Sequence, residues 1–191
     1  MTKYYPIDFF FDGTPKSEQY FVYADVNKQA VELLLDAFSE ESTAHSHSLA
    51  PVVYLLRQYI ELQLKGIIAF NEECHVVWRT HNIQSLYEEA MRNVKKQYGT
   101  DQIGQANPEV EKFILALSNF DPKCEAFRYP ETVDGESFAE LAEKMDPWLY
   151  ETITVFEKFA DIATKVIDDL EGIEGYLDIM WANEQEGFAN Q

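Results

Sequence analysis

The stretch "VVYLLRQYIELQLKGIIAF", residues 52–70, constrains the fold more than any other part of the chain. Wound at 3.6 residues per turn, it presents valine, leucine, isoleucine and tyrosine around most of its circumference, and a helix that is apolar nearly all round must be enclosed by protein. Yet Arg57, Glu61 and Lys65 recur every four residues, which stacks them in one narrow stripe. Glu61 followed four residues later by Lys65 is the favourable orientation for a helical ion pair. A buried charge left without partners costs several kcal/mol, so the stripe needs more acceptors than Glu61 alone. Two readings follow. The stripe is either a self-compensating polar seam under a loop, or the floor of a pocket where one of the three meets a ligand or substrate.

The segments around this helix carry the same periodicity. Residues 25–39 place Val26, Ala30, Val31, Leu33, Leu34 and Phe38 at helical spacings behind Asp25, a credible N-cap. The apolar helix itself is predicted over 48–72, opened by Ser48 ahead of Pro51. A third helix, 82–98, closes on Gly99 with Lys95 and Lys96 near its negative end. A fourth, 108–119, has Asn107 as cap and Pro108 at its first position. Residues 146–170 predict a long fifth helix, and 173–183 a short one after it. Strand-like alternation is scarce. The expectation is an all-α fold, an antiparallel four- to five-helix bundle forming a single domain over 25–191. Ahead of it, residues 4–23 hold 8 aromatics, and "DFFF" and "YFVY" flank "DGTPKSEQ". That pattern predicts an extended arm or hairpin over 1–24, packed on the bundle.

Charge narrows the partners. The net charge is −19, unevenly spread: residues 131–191 hold 16 acids and 3 lysines. Such a chain repels nucleic-acid phosphates unless a local basic pocket overrides the field, so duplex DNA is excluded as a general ligand. The acidic half is either a solvated face or a surface for a basic partner protein. Two cysteines, Cys74 and Cys124, without paired spacing fit a reducing compartment. "MTKYYPIDFFFDG" lacks the apolar core of a signal peptide, and no apolar run reaches the ~20 residues of a membrane span. A cytoplasmic, soluble protein without membrane association is expected.

Three short segments carry a resemblance when taken together. "LLRQYIELQLK", then "THNIQSLY" opening the next helix, then "FRYP" before the long helix are similar to segments of the HEPN superfamily of helical-bundle domains. The likeness covers residues 48–170. It implies a four- to five-helix bundle that dimerises and, in many members, a metal-independent RNase or a toxin of toxin–antitoxin and phage-defence systems. It also implies an antitoxin or nucleotidyltransferase-type protein as partner. The family's RNase signature is an Arg, four to six residues, then a His, where the His moves a proton and the Arg stabilises phosphate charge. Here none of Arg57, Arg79, Arg92 and Arg128 is followed by a histidine at that spacing; Arg128 precedes "YPETVDG" and His81 follows Arg79 by two.

Two functions therefore stand side by side. One is a non-catalytic, dimerising HEPN-like module that binds a partner protein. The other is a metal-independent RNase or nucleotide-acting toxin whose site assembles Arg57, His81 and Arg128 from separate segments. Both place Arg57, Glu61, Lys65, His81 and Arg128 in one polar cluster. His45 with His47, and Cys74 with His75 and His81, are metal-type residues that complete no ligand set, and no phosphate-binding glycine loop or nucleophile elbow is present. Neither a metal nor a cofactor is expected.

Overall fold

The apolar circumference of residues 52–70 puts that helix where the others pack. The computed structural model describes residues 14–40, 49–70, 80–99, 107–128, 135 and 137–189, and among these it contains seven helices and no strands. They are α1 (Lys16–Glu40), α2 (Ala50–Phe70), α3 (Ile83–Tyr98), α4 (Pro108–Phe120), α5 (Phe138–Glu143), α6 (Pro147–Thr154) and α7 (Phe156–Ala189). The protein is all-α. Helices α1, α3 and α7 each pack on α2, α4 packs on α3 and α7, and α6 packs on α7 and α4. One hydrophobic cluster joins them, running from Ala24 and Val31 of α1 through Leu56, Ile60 and Leu64 of α2 to Phe159 and Leu170 of α7.

Local chemistry sets most helix ends. The Asn82 side chain accepts the Ser85 N–H at 2.8 Å to cap α3, and Gly99, at φ 80°, closes it with its N–H on the Lys95 carbonyl. Asn107 accepts the Glu109 N–H at 3.0 Å ahead of Pro108, and Asp146 accepts those of Trp148 and Leu149 ahead of Pro147. Ser137 and Glu140 form a reciprocal capping box at α5.

Two expectations need correction. Helix α1 begins at Lys16, not at Asp25, so residues 16–24 are helical and do not belong to an extended arm; residues 1–13 lie outside the described residues. Asp25 is an exposed mid-helix residue whose carboxylate takes the Gln29 amide at 2.6 Å. The aromatic run hides a helical period: Ser17, Ala24 and Val31, seven apart, are buried, and Phe21 lies on the same side. Phe21 packs against Gly66 so closely that a Cβ there would overlap its ring. The second correction concerns the C-terminal half. The expected helix 146–170 is split at Val155 (φ −100°, ψ 114°) into α6 and α7. Ile153, Thr154 and Val155 form a β-branched run, and the hydroxyls of Thr152 and Thr154 donate to the carbonyls of Trp148 and Tyr150, bonds that bend helices. Helix α7 then absorbs the expected 173–183 segment. Gly172 and Gly175 each cost the helix about 0.5–1 kcal/mol against alanine. Burial of Ile173 and Leu177 outweighs this, at about 1.5–3 kcal/mol each.

No described helix is long and apolar enough to cross a membrane.

Candidate functional site

Helix α2 carries the charged stripe into the interior because α1, α3 and α7 enclose it. Arg57 is fully buried, and Glu61 and Lys65 nearly so, at 4% and 6% exposure. Glu61 is the hub. Its Oε2 lies 3.4 Å from Arg57 Nη1, and its Oε1 accepts from Lys65 Nζ at 2.7 Å and lies 2.9 Å from His81 Nδ1. A carboxylate oxygen only accepts, so Nδ1 carries the ring proton in this pair.

Arg57 ties three segments together. Its Nη2 donates to the His81 carbonyl at 2.7 Å, just before α3, and to the Asp121 carbonyl at 3.0 Å, at the end of α4. Its Nε lies 3.7 Å from Asp121 Oδ2, an ion pair beyond hydrogen-bonding distance, and both atoms are buried without a hydrogen-bond partner. The other Asp121 oxygen, Oδ1, accepts the N–H groups of Glu125 and Ala126 at 2.7 and 3.2 Å, which organises the turn after α4. Two cations, Arg57 and Lys65, thus meet two carboxylates, Glu61 and Asp121. The cluster balances its charge without any contribution from His81.

Neighbouring side chains feel this cluster. Burial and the Glu61 carboxylate push the Tyr20 hydroxyl of α1 above its usual range. Cys124 sits in the turn at φ 62°, a left-handed conformation unusual for a residue with a Cβ, and accepts the Gln58 amide on Sγ at 2.8 Å. Burial raises its thiol pKa, against the lowering effect of Arg57.

Of the five residues expected to converge, the structure brings together Arg57, Glu61, Lys65 and His81. Arg128 lies at the exposed end of the turn, its backbone N–H on the Glu125 carbonyl at 3.0 Å. Asp121, which the sequence did not single out, joins the cluster through its carbonyl and its carboxylate. The sequence carried only a weak signal for Asp121: an acid at a helix end followed by Pro122, in a chain rich in acids. The remainder of "FRYP" (Tyr129 and Pro130), with Arg79, His45, His47, Cys74 and His75, lies outside the described residues. Among the described residues no group of three or more His, Cys, Asp or Glu could hold a metal ion.

Among the described residues of the cluster, His81 is the one that reaches solvent. His81 is 63% exposed while Glu61 behind it is 5% exposed. Two cavities among the described residues lie elsewhere. One of about 660 Å³ is lined by Val53, Phe127, Met145, Tyr150 and Ile153, and another of about 620 Å³ by Lys112, Leu115, Phe120 and Lys144. Neither includes a residue of the cluster. The arrangement can fasten α2 to the segments leading into α3 and out of α4, and it can hold one histidine ring at the surface.

Comparison with known proteins finds no significant match to a family model, a curated protein or a solved structure.

Proposed function

We propose that this chain is a HEPN-like helical module, an antiparallel bundle of four to five principal helices, that acts by binding a protein partner and does not cleave RNA. The observation that carries this reading is the closure of the Arg57 cluster. An arginine that stabilises phosphate must present its guanidinium to the ligand. Arg57 is fully buried, and two backbone carbonyls, Glu61 and Asp121 surround it. The missing Arg-to-His spacing and the −19 charge support the same reading. The setting proposed is bacterial defence or a toxin–antitoxin pair, in the cytoplasm, as a homodimer with an antitoxin- or nucleotidyltransferase-type partner. Light scattering at micromolar concentration should return twice the 22.1 kDa chain mass.

One observation favours a second reading. His81 is held by a buried carboxylate at Nδ1 with its ring exposed, which is how a general base is oriented. Incubating a fluorescent RNA oligonucleotide in EDTA with the wild type and with His81→Ala decides between them. The partner-binding reading expects both to leave the RNA intact. Cleavage by the wild type that His81→Ala abolishes at unchanged melting temperature would establish a metal-independent RNase instead.

A further inference from the structure

Helix α1 is apolar on two faces, and among the described residues only one of them packs into the core. The side bearing Ser17, Ala24 and Val31 is buried in the core. On the opposite side Val22, Val26 and Leu33 are 45%, 61% and 70% exposed. At 100° per residue these three fall within about 40° of one another, in a stripe roughly 16 Å long. Single exposed apolar residues are ordinary, but three in helical register form a surface. Along one edge of it run Glu18, Asp25, Glu32 and Asp36, all exposed and again within about 40° of one another.

This edge selects the occupant. Helix α1 has two bases, Lys16 at its head and Lys28, which bonds to Glu171 and lies 3.4 Å from Asp25. In an antiparallel pairing of two copies through the stripe, the acidic edge would face its own counterpart, and like charges along a helix seam oppose association. The −19 net charge adds to that repulsion. A helix that places an apolar row on the stripe and lysines or arginines beside it meets both features at once.

We infer that the outer face of α1, Val22, Val26 and Leu33 with its acidic edge, is a docking site for a basic amphipathic helix of a partner protein. This rests on the partner-binding reading above and names the partner's chemistry. The stripe spans three turns, so a partner helix of about 14 residues covers it.

The test uses the full chain and two labelled peptides, LKKLLKLLKKLLKL and its acidic counterpart LEELLELLEELLEL, read by fluorescence anisotropy. The basic peptide should bind the wild type and lose affinity as salt rises, and the acidic peptide should not bind. Val26→Gln/Leu33→Gln and Glu32→Gln/Asp36→Asn should each weaken binding tenfold or more. All four positions are exposed, and unchanged helicity and melting temperature verify that the variants fold. Equal binding of the basic peptide by Val26→Gln/Leu33→Gln overturns the inference, because charge alone would then explain it. No binding by the wild type overturns it as well. So does a wild-type dimer that becomes a monomer in that variant, since the occupant is then a second copy. These outcomes reject this face alone, whereas RNA cleavage by the wild type rejects the partner-binding reading itself.

Discussion

Replacing Glu61 by alanine removes the carboxylate that Arg57, Lys65 and His81 all contact. The consequences differ among the three. The His81 ring is largely exposed and recovers water. Arg57 keeps two carbonyl acceptors and Asp121 at 3.7 Å. Lys65, with its side chain 7% exposed, has no other carboxylate within 4 Å among the described residues. Stranding one partner of a buried pair costs about 3–5 kcal/mol. For a domain of this size that corresponds to a fall in Tm of about 6–20 °C, and it is a large fraction of a typical total stability of about 5–15 kcal/mol. Urea unfolding followed by circular dichroism should show the midpoint falling with an unchanged m-value. Glu61→Gln keeps the shape and one acceptor, so a loss close to that of Glu61→Ala assigns the effect to charge and not to a cavity. Glu61→Leu/Lys65→Met removes both members of the closest pair and should recover at least about half of the loss. A Glu61→Ala penalty below about 1 kcal/mol, the range of exposed ion pairs, would refute the reasoning.

Gly66→Ala should destabilise by about 1–3 kcal/mol because its methyl overlaps the Phe21 ring, with Phe21→Leu restoring part of the loss; a stabilised single variant would show that the α1–α2 approach has slack. Asp169 is half-buried, its Oδ2 has no hydrogen-bond partner, and burial raises its carboxyl above the usual value while the Asn107 N–H opposes the shift. A carboxyl raised on folding contributes stability that is complete below its unfolded pKa and lost as pH rises through the folded one. Asp169→Asn should therefore exceed the wild type in Tm near pH 7, with the gap closing as pH falls towards the ordinary aspartate value of 3.8; a gap independent of pH would contradict this. In a Cys74→Ala background the buried Cys124 thiol, its pKa raised by burial, should react with iodoacetamide far more slowly in the folded than in the urea-unfolded chain, and equal rates would place it at the surface.

Much of the helical pattern was legible because its causes are local. Gly99, Asn107 and Pro108 act on backbone groups within four residues, and α3 closes and α4 opens where those residues predict. The true start of α1 was obscured. Its aromatic run suits a strand as well as a helix, and only the close seat of Phe21 on Gly66, 45 positions away in sequence, decides between them. The break at Val155 was missed for a different reason: the β-branched run was visible, but the threonine back-bonds that accompany the bend depend on rotamers.

The candidate site divides along the same line. The spacing of Arg57, Glu61 and Lys65 by itself determines that the three share a stripe, and the apolar residues around them determine that the stripe is enclosed. Tertiary structure alone decided which acceptors complete it. Asp121 enters from 64 positions away, through a carbonyl and a carboxylate placed by the end of α4, while Arg128 is left at the exposed end of the next turn. It also decided that Val22, Val26 and Leu33 face outward, since a helix apolar on two sides does not specify which side its neighbours cover. The physical reason is range: periodicity and capping act over one or two turns, whereas burial and charge compensation are settled by whichever segments the whole chain brings together.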